Sequence, residues 1–276
     1  MDPTLPPGLY IVATPIGNLS DLSPRAAETL RRADLILAED KRVTAKLLAH
    51  TGARAPMATY HDHSSEADRQ RALEAIAGKA VALVSDAGTP LISDPGYKLV
   101  RAAREAGLPI FTIPGPCAAI AGLTVAGLPT DRFLFAGFLP ARPKARRDAI
   151  AELAGIRASL VLYETGPRLG GALADLAAGL GPRDAAVVRE ITKLHEECVA
   201  GSLAELADRY ASAPPKGEIV IVIGPPPERQ ASEADLDAAL IAALAELSPS
   251  RAAARVADLL DVPKKRAYAR ALELSR

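Results

Sequence analysis

The residues with the most chemical content lie in one stretch, Ser85-Asp86-Ala87-Gly88-Thr89-Pro90-Leu91-Ile92-Ser93-Asp94-Pro95-Gly96. It follows the apolar run Val81-Ala82-Leu83-Val84, which reads as a buried strand. A helix is expected to follow, with Asp94 as N-cap and Pro95 at the first helical position. The loop matches neither G-x-x-x-x-G-K-[ST] nor G-x-G-x-x-G, the two glycine-rich phosphate cradles. Instead, the carboxylate of Asp86 stands at the strand end, where it would repel a phosphate and suit ribose hydroxyls or a cationic centre. The chemistry expected is recognition of a nucleoside-like ligand without phosphates, in place of ATP or NAD. The competing structural reading is a tight strand-to-helix turn with a capping Asp.

Other clusters sit at similar places. Thr14-Pro15-Ile16-Gly17-Asn18-Leu19-Ser20-Asp21 follows the strand Leu9–Ala13, and Ser23-Pro24 then opens a helix. Glu39-Asp40-Lys41-Arg42-Val43-Thr44 follows the strand Asp34–Ala38. Pro114-Gly115-Pro116-Cys117-Ala118 is a rigid turn whose small residues let a helix end approach a ligand, although a plain packed turn reads equally well. Cys117 has no neighbouring His or Lys and is expected to pack, not react. His61-Asp62-His63 raises the question of a metal, but no third ligand cluster accompanies it, so no metal is expected.

These loops need an alternation of strands and helices behind them. Four or five such alternations precede Gly127, which argues for a parallel α/β domain over 1–120. A second α/β domain is expected over 121–226, from strands near Phe133–Pro140, Ser159–Glu164, Ala185–Glu190 and Ile219–Ile223. Gly224–Glu228 reads as a stiff linker. Beyond it, 227–276 shows helical periodicity, with two short helices joined at Asp261-Val262-Pro263 in a helix-turn-helix-like appendage. From Ser248 onward seven Lys/Arg face three acids, so Lys264, Lys265 and Arg266 are candidates for RNA contact, against a solvated helix face as the default. Arg142–Arg147 is a second basic cluster.

The chain has 276 residues, 49% of them hydrophobic, and a formal charge of zero. That balance argues against a general nucleic-acid coat protein while allowing a local basic patch. Two cysteines give no disulfide framework and fit a reducing cytoplasm. Met1–Thr4 lacks a basic leader and no apolar run approaches membrane-spanning length, so a cytoplasmic protein without membrane contact is expected.

The motifs Thr14–Leu19 with Asp21, Glu39-Asp40-x-Arg42-x-Thr44, Ser85–Gly96, Pro114-Gly115-Pro116-x-Ala118, Arg189-Glu190-Ile191-Thr192-Lys193-x-His195-Glu196 and Lys216-Gly217-Glu218 resemble the RsmI (YraL-type) family. These are small-subunit ribosomal RNA methyltransferases of the tetrapyrrole-methylase superfamily, and the match runs in order over nearly the whole chain. The resemblance implies a class III methyltransferase of two α/β domains, homodimeric, with S-adenosyl-L-methionine in the cleft between them. It also implies methyl transfer to the ribose 2′-oxygen of a cytidine in the decoding region of 16S rRNA, in the isolated RNA or the assembled small subunit. By the same analogy Asp86, Gly88, Leu91, Ile92, Pro114, Ala118, Phe138, Glu164 and Glu218 contact the donor. Asp21 or Asp40 is the candidate base, with Glu39 a further carboxylate in reach, though Asp21 could simply belong to a turn and Glu39 pair with Arg42. Asn18, Lys41, Arg42, Arg146, Arg147, Lys264, Lys265 and Arg266 are the candidates for RNA. Lys41, Cys117 and Thr165-Gly166-Pro167-Arg168 depart from the family pattern. Two rivals are a superfamily methylase acting on a tetrapyrrole or diphthamide precursor, and a non-catalytic ribosome-binding module with a nucleoside pocket.

Overall fold

The computed structural model describes residues 5–212, 214–227 and 232–275. The leader Met1–Thr4, linker residue Glu228 and the terminal Arg276 discussed above lie outside the described residues. The chain divides after Pro225 into two compact units.

The first unit begins as a strand–helix alternation: β1 (Gly8–Val12), α1 (Pro24–Arg32), β2 (Leu35–Ala38), α2 (Lys41–Thr51), β3 (Met57–Thr59), α3 (Glu66–Gly78), β4 (Ala80–Val84), α4 (Tyr97–Glu105) and β5 (Ile110–Ile113). The five strands form a parallel sheet in the order β3-β2-β4-β1-β5. Helices cover both faces, so the strands are apolar throughout and β4 is buried at every position. Tyr10, Val12, Ile36 and Ala38 point into one core and Leu9, Leu37, Val81 and Leu83 into the other, as the period of two requires.

One capping expectation is corrected here. Helix α4 starts at Tyr97 behind Gly96 (φ 128°), not at Asp94-Pro95, because the loop stays non-helical through Leu91 (φ 76°) and Ser93 (φ 62°). Asp94 is thereby free of capping duty. Ser23 and Ser65 do cap α1 and α3, and Ser65 completes a reciprocal box with Asp68.

The chain then runs through α5 (Ala118–Val125), β6 (Phe133–Phe138), α6 (Pro143–Leu153), β7 (Ser159–Thr165), α7 (Gly166–Leu180), β8 (Asp184–Arg189), β9 (Glu197–Ser202), α8 (Leu203–Tyr210) and β10 (Glu218–Ile223). These strands form a second sheet, β6-β7-β10-β8-β9, parallel only between β6 and β7. Leu160, Leu162, Ile219 and Ile221 face α6, α7 and α8 on one side. Val161, Val188, Val220 and Val222 face Ala119, Leu123 and Ala126 on the other. The boundary expected at residue 120 therefore falls inside α5, a helix that packs on the second sheet. The edge strand β9 was not among the expected strands: Glu-Cys-Val-Ala-Gly-Ser has no apolar run, and it pairs only with β8.

The second unit contains α9 (Glu233–Leu244), α10 (Pro249–Leu260) and α11 (Lys264–Leu274). Leu236, Leu240, Val256, Ala257, Ala267 and Ala271 form its core, small side chains letting the helices approach closely. Asp261, left-handed at φ 52°, turns α10 into α11, and Arg270 makes two 2.6 Å bonds to Asp237. Among the described residues no helix is long and apolar enough to cross a membrane.

Candidate active site

Four loops meet at the carboxyl edge of the parallel sheet, the place where such sheets bind ligands. The loop after β1 joins the loop after β4 through a two-way backbone bridge: Thr14 N–H donates to Gly88 O at 2.8 Å and Gly88 N–H to Thr14 O at 3.1 Å. Thr89 Oγ1 donates to Pro116 O at 2.9 Å, which brings in the turn after β5. The loop after β2 is tied in by Asp40 N–H, which donates to Asp86 Oδ1 at 3.0 Å. The motifs distant in sequence are thus knit by hydrogen bonds into one wall.

The facing wall comes from the second sheet. A bulge in β6 between Phe135 and Gly137 turns Phe138 to the cleft rim, where its ring meets Tyr163 edge-on at 5.5 Å. The Tyr163 hydroxyl accepts Ala119 N–H at 3.0 Å and so holds the start of α5 against the sheet. Glu164 and Glu218 follow on the adjacent strands β7 and β10, and Glu190 and Lys193 on the loop after β8. The cleft between the walls has a volume of about 210 Å³.

Its electrostatics are those of a cation and hydroxyl site. Glu164 is 1% exposed; its Oε1 accepts Thr165 N–H at 2.8 Å, while its Oε2 has no partner among the described residues. Arg168 Nε lies 3.1 Å from Oε1 but is not aligned for a hydrogen bond. A buried carboxylate oxygen without a donor is costly unless a ligand supplies one. Asp94, released from capping, lines the cleft. Burial raises its pKa to about 6, the charges of Glu39, Asp86 and Glu218 add to the rise, and a hydrogen bond with Ser85 opposes it. Burial also raises Glu39 and Tyr163.

Of the residues named from sequence for the donor, Asp86, Gly88, Ile92, Ala118, Phe138, Glu164 and Glu218 line the cleft. Leu91 and Pro114 do not: Leu91 packs its side chain against the core beside Leu83, and Pro114 is exposed in the turn after β5. Neither candidate base lines it. Asp40 caps α2, accepting Arg42 N–H at 2.8 Å and pairing with the Arg42 guanidinium at 2.7 Å, which holds its pKa down to about 2. That carboxylate is a weak base. Asp21 ends the 3₁₀ turn Leu19–Asp21, which Asn18 caps, and accepts a hydrogen bond from Thr192 Oγ1.

Among the RNA candidates, Lys41, Arg42, Lys264, Lys265 and Arg266 are exposed. Arg146 is not free: it pairs with Asp175 at 2.7 Å with its side chain 12% exposed, while Arg147 stays 59% exposed. Tyr163, expected beside Phe138 and Glu164 to close over the donor's adenosine, lines the cleft, as do Asp94, Glu190 and Lys193, which were not singled out as donor contacts. Asp94 was hidden by its resemblance to a cap. Glu190 and Lys193 had only their place in a motif to mark them.

Residues 8–207 match the model of the Tetrapyrrole (Corrin/Porphyrin) Methylases, and residues 230–275 that of the RsmI C-terminal HTH domain. The ribosomal RNA small subunit methyltransferase I of Erythrobacter litoralis is 57% identical over 270 residues, 98% of this chain and 96% of that one. Among solved structures, a diphthine synthase superposes with a TM-score of 0.61 at 19% identity, covering 78% of this chain and 89% of that one. A uroporphyrin-III C-methyltransferase from Thermus thermophilus complexed with S-adenosylhomocysteine superposes with a TM-score of 0.53 at 21% identity, covering 79% and 97%. At those identities the two structures speak to fold alone.

Proposed function

The chain belongs to the ribosomal RNA small subunit methyltransferase I family, of tetrapyrrole-methylase fold, and from that premise we propose that it methylates the ribose 2′-hydroxyl of a cytidine in the decoding region of 16S rRNA. The methyl donor is S-adenosyl-L-methionine, bound in the cleft between the two sheets. One observation carries the donor assignment. The cleft presents carboxylates and the unpartnered Glu164 Oε2, a lining that suits hydroxyls, amino groups and a sulfonium and disfavours phosphate.

S-adenosylmethionine supplies an electrophilic methyl group: the ribose oxygen bonds to that carbon as its bond to sulfur breaks, and the bonding pair stays on sulfur. The chain's own part is to align the two reactants and receive the hydroxyl proton. Alignment supplies much of the acceleration. Asp86 and Asp94 hold the donor's polar and cationic parts from the first wall, and Glu164 and Glu218 from the second. Phe138 and Tyr163 exclude water from the rim. Asp21, at the mouth of the first loop, takes the proton. Asn18, Lys41, Arg42 and Arg147 hold the acceptor strand, and Lys264, Lys265 and Arg266 add backbone contacts from the helical unit. The enzyme works in the cytoplasm as a homodimer on the small subunit or its RNA.

Labelled S-adenosylmethionine offered with small subunits from a strain lacking the enzyme tests this reading, with mass-spectrometric mapping of the product. The expected product is one 2′-O-methylcytidine in the decoding region. Label in a tetrapyrrole or a diphthamide precursor, with none in rRNA, would overturn it. Donor binding with no product on any subunit would leave only a ribosome-binding module.

A further inference from the structure

The cleft lining carries six carboxylates, Glu39, Asp86, Asp94, Glu164, Glu190 and Glu218. Among the described residues it carries one side-chain cation, Lys193. That ammonium donates to Glu190 Oε1 at 3.0 Å, which uses one of its three N–H groups. Both walls leave room for this pair. A Cβ on Gly17, in the loop after β1, would lie 2.6 Å from Lys193 Cε, and a Cβ on Gly217, ahead of β10, would strike the Glu190 carboxylate. Thr192 ties the same segment to Asp21. Glu190 and Thr192 are left-handed, at φ 51° and 65°, a conformation non-glycine residues adopt only when surroundings impose it. Two glycines thus leave space for the Lys193–Glu190 pair, and two left-handed residues shape the loop that carries it to the cleft.

S-adenosylmethionine bears a sulfonium, an ammonium and a carboxylate. The acidic lining answers the first two and opposes the third. We propose that Lys193 anchors the carboxylate of the donor's amino-acid end, which fixes the end of the cleft toward which that part of the donor points. The inference rests on the donor-cleft reading above. The amino end of α5 is a second anion-binding feature at the cleft, with one of its N–H groups, that of Ala119, given to the Tyr163 hydroxyl.

Calorimetry on the full chain with S-adenosylmethionine and with its decarboxylated analogue tests the proposal. The intact protein is expected to bind the analogue about tenfold or more weakly, the usual size of a lost charge-assisted bond. Lys193→Met should weaken S-adenosylmethionine by a similar factor and leave the analogue within about threefold, while Lys193→Arg restores most of the difference. Gly17→Ala, which displaces the lysine without removing it, should fall between the two. Unchanged melting curves keep the comparison free of misfolding, and Gly17→Ala alone carries the test if Lys193→Met is unstable. Equal loss for both ligands, or no loss for either, overturns the anchor and leaves the donor cleft standing. Failure of the intact protein to bind S-adenosylmethionine would instead overturn the donor cleft itself.

Discussion

Asp94 couples the chemistry of the cleft to the stability of the fold. An ordinary Asp titrates near 3.8, and here the folded value is about 6, chiefly through burial. Between those values the folded chain binds more protons than the unfolded one, so stability falls as pH rises from 3.8 through 6. Above that window the ionised side chain costs about 1 kcal/mol, once solvent screening of a half-exposed group is allowed for. Asp94→Asn should therefore raise the melting temperature by roughly 2–4 °C at pH 7.5. At pH 3.5 it should change little. The same substitution should weaken S-adenosylmethionine binding, and the intact protein should bind this cationic donor more tightly as pH passes 6. Calorimetry at pH 5 and 7.5 with both proteins checks it, and a pH-independent affinity would remove Asp94 from the donor site. The base assignment is tested with isosteric changes that keep the local bonds. Asp21→Asn retains an acceptor for Thr192 and should lower the single-turnover rate by roughly 10²–10³-fold with subunit binding intact. Asp40→Asn still caps α2 and should stay within about threefold of the unchanged enzyme. The reverse outcome would exchange their roles.

At the scale of elements, the ion pair of Arg146 with Asp175 joins α6 to α7, while the neighbouring Arg147 reaches the same carboxylate at 3.8 Å and stays 59% exposed. Removing one partner of a mostly buried pair strands the other charge. Arg146→Met should thus cost about 2 kcal/mol, with donor and subunit affinity unchanged. Arg147→Ala should weaken subunit binding and leave thermal stability alone. Thermal melts and filter binding on both variants decide between a structural and an RNA-facing cluster. The run Arg142–Arg147 looked uniformly basic in sequence because helical phase alone does not reveal that Asp175, almost thirty residues on, holds Arg146 closely and Arg147 loosely. Long-range pairing hid other features too. The parallel sheet was legible because strands buried on both faces are continuous apolar runs, and Val81–Val84 is one. The edge strand β9 was not, since an edge needs only one neighbour and tolerates Glu197, Cys198 and Gly201. The cleft wall formed by Asp86 and Gly88 was readable as a strand-end loop, and the place of Glu190 and Lys193 depended on backbone strain and on space above two glycines. Leu91, a motif residue with a left-handed backbone, packs its side chain against the core beside Leu83.

Over the whole molecule, the chain divides into two compact units. Every described residue lining the cleft precedes Pro225, and the second unit carries Lys264, Lys265 and Arg266 exposed at the start of α11. Its core does not use them: it is built from Leu240, Val256, Ala267 and Ala271, the Asp237–Arg270 pair links α9 to α11, and Lys264 makes an exposed ion pair with Asp258 at 3.9 Å. Replacing all three with alanine should therefore leave melting behaviour and S-adenosylmethionine affinity as they are. If these side chains meet RNA phosphates, each contact releases counterions, and the slope of log affinity for the small subunit against log salt should flatten by roughly 2–3. The binding constant should fall most at low salt, where those contacts count most. A slope identical to that of the unchanged protein would make this surface a solvated helix face and shift acceptor recognition entirely to the loops around Asn18, Lys41 and Arg42. A flattened slope with an unchanged methylation rate at saturating subunits would instead separate docking, the work of the helical unit, from methyl transfer, the work of the cleft.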